Sequence, residues 1–194
     1  MELKIETQKI TLNSNNKTTS IIHYSPQKIE EKYLGHLFII QESSTSGKDS
    51  QDLSEVISSS LARYYNPKSI NPEENFHRSL RATNTIIKEI TEENPRAFSQ
   101  TKSLILAISP NYFYLSYSHS FNVILVRQEK IINLLSTKNN YLPHLTFTEI
   151  ISDKIQNNDK IFIFSPSLLI KPQTELQLNN SLPEIIKNIQ SVIQ

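Results

Sequence analysis

Residues Asn111–Leu135, NYFYLSYSHSFNVILVRQEKIINLL, predict three short strands in succession. Tyr112–Ser118, Asn122–Arg127 and Lys130–Leu135 are rich in aromatic and β-branched residues, which suit a pleated, half-buried surface. Gln128-Glu129 leaves room only for a tight hairpin turn. The crowding of Tyr112, Phe113, Tyr114, Tyr117 and Phe121 predicts core and cross-strand packing. A meander like this needs further strands or a helical layer to be stable in water.

The rest of the chain supplies both. Leu3, Ile5 and Thr7 alternate with polar residues as a half-buried strand does, Asn13–Asn16 is a turn cluster, and Thr18–Tyr24 reads as the return strand. Pro26–Lys32 is a charged connection. His36–Gln41, Ser103–Ser109 and Lys160–Ser165 are short continuous apolar runs, the pattern of buried strands. Between the first and second of these runs lie two helices. Leu53, Val56, Ile57, Leu61 and Tyr64 form one apolar stripe, which Asn66-Pro67 ends, and Asp52 is expected to cap its start. Asn71 is the expected N-cap of the second helix, with Pro72 at its first position and Glu73 and Glu74 complementing the dipole. Phe76, Leu80, Ile87 and Ile90 continue it to about Glu92. Thr148–Ile155 predicts a short helix. Ser181 and Glu184 form a capping-box pair that opens a last helix. Helices arrive in blocks rather than alternating singly with strands, which predicts an α+β layered fold. The length, 194 residues, suits one domain over 1–194.

Composition narrows function by exclusion. Lys plus Arg is 20 and Asp plus Glu is 19, so no field draws nucleic acid or an anionic membrane. There is no Cys, hence no disulfide and no thiolate metal site. No run reaches the roughly 20 apolar residues of a membrane span, and the N-terminus lacks the apolar core of a secretory signal. A cytoplasmic protein is expected. His23, His36, His77, His119 and His144 are scattered without metal-ligand spacing and read as surface or cap residues. Ser46-Gly47-Lys48 lacks the Gly and Ser/Thr of a phosphate-binding loop, having Glu42 and Asp49 in those places. Gly occurs only at Gly35 and Gly47, where average usage would give about 14.

Four segments in this order resemble the metal-dependent serine/threonine protein phosphatases of the PPM type (type 2C). LFIIQESSTSG, Leu37–Gly47, stands where that family has a strand ending in Asp-Gly before paired helices. Thr101–Ile108 matches its next strand. Phe113–Leu134 matches its meander in length and apolar alternation, and NDKIFIFSPSL, Asn158–Leu168, matches the strand carrying its second Asp-Gly. The resemblance implies an α-β-β-α sandwich of two antiparallel sheets flanked by helices. It also implies two divalent metals, Mn²⁺ or Mg²⁺, held by aspartates to activate water against a phosphate ester.

The residues at those positions depart from the family. The first Asp-Gly falls on Glu42-Ser43, the meander's Gly-Asp on His119-Ser120, and the second Asp-Gly on Pro166-Ser167. The family's early Asn-Glu-Asp motif has no match between Tyr24 and Tyr33, and its closing strand no counterpart before Gln194. Hard cations need anionic oxygen ligands, and one carboxylate cannot neutralise two of them. These positions predict a degenerate site without catalytic residues, metal or cofactor. The expected role is that of a pseudophosphatase that binds a protein partner, with an unpaired sheet edge open to self-association. The alternative is a divergent phosphatase whose Mn²⁺ or Mg²⁺ is held by other residues. A third is a purely structural interaction domain.

Overall fold

The computed structural model describes residues 4–7, 17–44, 48–65, 69, 71–93, 101–118, 121–128, 130–135 and 147–164. It divides into two units, residues 1–119 with 140–155, and residues 120–139 with 156–194.

The first unit is built on a five-stranded antiparallel sheet. Its strands are β1 (Lys17–Tyr24), β2 (His36–Ser44), β3 (Thr101–Ile108), β4 (Tyr112–Tyr117) and β7 (Ile151–Lys154), in the order β1-β2-β3-β4-β7. The register sets Leu37, Ile39 and Gln41 of β2 on one face with Ser103, Ile105 and Ala107 of β3. That face receives α1 (Lys48–Leu61) and α2 (Pro72–Glu93). Leu53, Ile57, Leu61 and Tyr64 from α1 and its 3-10 extension meet Phe76, Leu80 and Ile87 of α2 against the strands, in one continuous core. Fully burying a side chain such as Phe76 stabilises the fold by roughly 1.5–3 kcal/mol. Two polar residues on the buried stripe of α2 bond to their own helix: Ser79 Oγ donates to the Phe76 carbonyl and Thr83 Oγ1 to that of Ser79.

Asn71 caps α2, its Oδ1 accepting from the Glu73 and Glu74 amides at 3.0 and 3.3 Å. Asp52 does not cap α1. That helix already begins at Lys48, and Asp52 lies exposed inside it. Gly35, at the start of β2, has φ +72, and a Cβ there would lie 2.0 Å from the Ile108 carbonyl oxygen. Only glycine lets β2 and β3 meet at that point. Two phenols close the same corner. Tyr64 Oη donates to the Leu34 carbonyl at 2.6 Å. Tyr65 Oη lies 2.7 Å from the Gly35 carbonyl and 2.9 Å from that of Tyr24.

Two further expectations fail. Residues 4–7 carry no strand, although Ile5 and Thr7 alternate with polar neighbours; Lys4 and Glu6 form an exposed ion pair instead. Alternation marks a strand only where a neighbouring strand takes its hydrogen bonds, and no described strand pairs there. Thr148–Ile155 is not a helix. Residues 148–150 are irregular, and Ile151–Lys154 pairs with Tyr112–Leu115 as β7. The free edge of β4 offers ladder bonds that a segment of eight residues cannot match as an isolated helix. Ser116 Oγ, donating to the Glu149 carbonyl at 2.7 Å, fixes the approach. The turn at Asn13–Asn16 and the helix opened by Ser181 and Glu184 lie outside the described residues.

The second unit holds a three-stranded antiparallel sheet, β6 (Lys130–Asn133), β5 (Asn122–Arg127) and β8 (Lys160–Phe164), in the order β6-β5-β8. Arg127 at the end of β5 grips Asp159, just before β8, with two parallel bonds of 3.0 and 2.8 Å. Asp159 also accepts from the Gln156 amide at 2.9 Å. The two strands are thus tied where the hairpin to β6 begins. Among the described residues, no helix is long and apolar enough to cross a membrane.

Candidate functional site

Glu42, the carboxylate expected from the sequence at a family ligand position, lies near the end of β2. Its neighbours in the register are Thr19 on β1 and Lys102 on β3. Strand alternation puts Glu42 on the face opposite the helices, in line with Ile40 and Phe38. Lys102 falls in the same way in line with Leu104 and Leu106. The adjacent Gln41 turns the other way, its amide donating to the Ser54 carbonyl of α1 at 3.3 Å.

The side chain of Glu42 is almost fully buried, with 3% of its surface exposed. Its carboxylate lies 3.8 Å from the Lys102 ammonium, itself 28% exposed. A buried carboxylate needs a compensating charge, and here a residue of the chain contributes it. Sequence reasoning missed Lys102. The signal was present: one acid and one base, each in line with two apolar residues on its strand face, at the matching ends of two strands that pair.

The strand leading towards His119-Ser120 ends close by. Ser118 follows β4, and its amide donates to the Ser103 carbonyl at 2.7 Å. Ser118 Oγ accepts from the Ser103 amide at 2.8 Å. Ser118 therefore sits one residue along β3 from Lys102. His119, Ser120, Pro166 and Ser167 lie outside the described residues; Ser43 is half-buried beside Glu42. Among the described residues, no group of three or more His, Asp or Glu side chains is arranged to hold a metal ion. The donors described at this corner, one carboxylate facing an ammonium, do not fit a pair of divalent cations, since each cation would meet a positive charge and too few anionic oxygens.

No family model matches the sequence, and no curated protein matches it. Solved structures do. The Mycobacterium tuberculosis serine/threonine phosphatase PstP is similar over 92% of this chain and 91% of its own, with a TM-score of 0.58 and 12% identity. The catalytic domain of PstP in complex with two manganese ions gives a TM-score of 0.60 at 13% identity, over 92% and 90%. This chain has the PPM-phosphatase fold. PppA, described as a key regulatory component of the type VI secretion system in Pseudomonas aeruginosa, shares it with a TM-score of 0.56 at 11% identity, over 92% and 91%. At such identities the likeness extends to the α+β fold with its two antiparallel sheets.

Proposed function

We propose that this chain is a PPM-fold domain that has given up metal-dependent hydrolysis and acts by binding a protein partner. The reading takes residues 1–194 as one domain in the cytoplasm. The observation that carries it is the Glu42–Lys102 pair: the carboxylate at the position of a family metal ligand is already neutralised by an ammonium from the next strand. The replacement of the other ligand positions by His119-Ser120 and Pro166-Ser167 supports it. A protein-binding role draws support from the persistence of the scaffold without the family's ligand residues. Self-association through β1, an edge of the five-stranded sheet among the described residues, belongs to the same reading.

The test is calorimetry with Mn²⁺ and Mg²⁺ beside turnover of an aryl phosphate. Neither stoichiometric metal binding nor metal-dependent turnover is expected. Metal-dependent turnover that disappears in Glu42→Ala would overturn the reading in favour of a divergent phosphatase. A monomer in light scattering across the usable concentration range would remove the self-pairing component.

A further inference from the structure

Five scattered histidines carry no metal-binding spacing in the sequence, yet folding brings two of them together. In the antiparallel β1–β2 pair His23 stands opposite Phe38, which puts His36 on the same face, diagonally across. His23 Nε2 lies 2.9 Å from His36 Nδ1. The His23 ring stacks on Phe38 with 4.3 Å between centroids and 8° between planes, so its orientation is held by packing. His23 is exposed and His36 half-buried, so the pair lies at the protein surface.

We propose that His23 and His36 form a two-imidazole site for a late first-row transition-metal cation of the Zn²⁺, Ni²⁺ or Cu²⁺ class. Two imidazole nitrogens sharing one tetrahedral ion at about 2.0–2.1 Å stand about 3.4 Å apart. The pair needs to open by about 0.5 Å, which a turn of the His36 ring supplies while Phe38 holds His23. The hydrogen bond now between them uses one proton. On metal binding that proton moves to the other nitrogen of its own ring, so both rings stay neutral and none is released. Partial burial holds both histidines below the ordinary imidazole range, and His23 lowers His36 further, which keeps the lone pairs available at neutral pH. Water completes the coordination. Borderline-soft imidazole nitrogen selects these ions over Mg²⁺ and Mn²⁺, and Cu²⁺ should bind most tightly. The site does not rest on the reading of Glu42.

The experiment uses the full chain, stripped of metal, titrated with Zn²⁺, Ni²⁺, Cu²⁺ and Mg²⁺ while the imidazole resonances are followed by NMR. One equivalent is expected to bind. Zn²⁺ should shift the ring signals of His23 and His36, and Ni²⁺ or Cu²⁺ should broaden them, while His77 and Mg²⁺ titrations stay silent. His23→Asn and His36→Asn should each weaken Zn²⁺ binding at least tenfold. Signals of His23 and His36 that stay unmoved up to millimolar Zn²⁺, or variants that bind as tightly as the parent, would overturn the proposal. The wild-type spectra decide the matter even where a variant folds poorly.

Discussion

Replacing Lys102 by methionine keeps the aliphatic stem on the sheet and removes the charge that faces Glu42. At 3.8 Å an ion pair is worth about 4 kcal/mol at an effective dielectric of about 20. Lys102 is 28% exposed, so water screens part of this, and a loss of about 2–3 kcal/mol is the reasoned figure for Lys102→Met. Glu42→Gln alone leaves the ammonium near solvent and should cost less, about 1 kcal/mol. The double variant removes the carboxylate that has lost its ammonium and should recover roughly 1–2 kcal/mol relative to Lys102→Met. Urea unfolding of the four proteins at pH 7 measures the cycle. A Lys102→Met protein as stable as the parent, or single effects that simply add, would refute the coupling.

Gly35→Ala should be among the most damaging single-methyl changes in the chain. The new Cβ would lie 2.0 Å from the Ile108 oxygen in a left-handed backbone position, and a loss of about 3–5 kcal/mol in urea unfolding is expected. Arg127→Met leaves the Asp159 side chain, only 3% exposed, without its counter-charge and should cost about 3 kcal/mol, with Arg127→Lys recovering less than half because the two-pronged geometry is lost. Gln128 holds φ 48 in the β5–β6 turn, so Gln128→Gly should be neutral or raise stability by up to about 1 kcal/mol in the same assay.

Much of the framework was legible because it depends on local pattern. The run from Leu37 to Gln41, the stripe through Leu53, Ile57 and Leu61, and the Asn71 cap each announce themselves within a few residues. What escaped depends on pairing between segments distant in sequence. Ile151–Lys154 is too short to declare itself a strand, and only the open edge of β4 makes it one. Lys102 gains meaning only once the register sets it beside Glu42, and His23 and His36 become a pair only because β1 lies antiparallel to β2. Isolated sequence spacing carries none of these cross-strand relations.

The two phenols at the Gly35 corner have a consequence for how the fold comes apart. Burial raises the pKa of both Tyr64 and Tyr65 well above the usual phenol value of 10.0. An unfolded chain releases those protons near pH 10, whereas the folded one keeps them. Above that point the unfolded state binds fewer protons, and stability falls as pH rises. Each hydroxyl also ties the end of α1 to carbonyls at Tyr24, Leu34 and Gly35, so neither can ionise while that corner stays shut. Ultraviolet absorbance of the phenolates therefore reports opening of the corner itself. Under alkaline conditions their signal should rise in step with the loss of helical circular dichroism and with amide exchange at the β1–β2 junction, one cooperative event seen three ways.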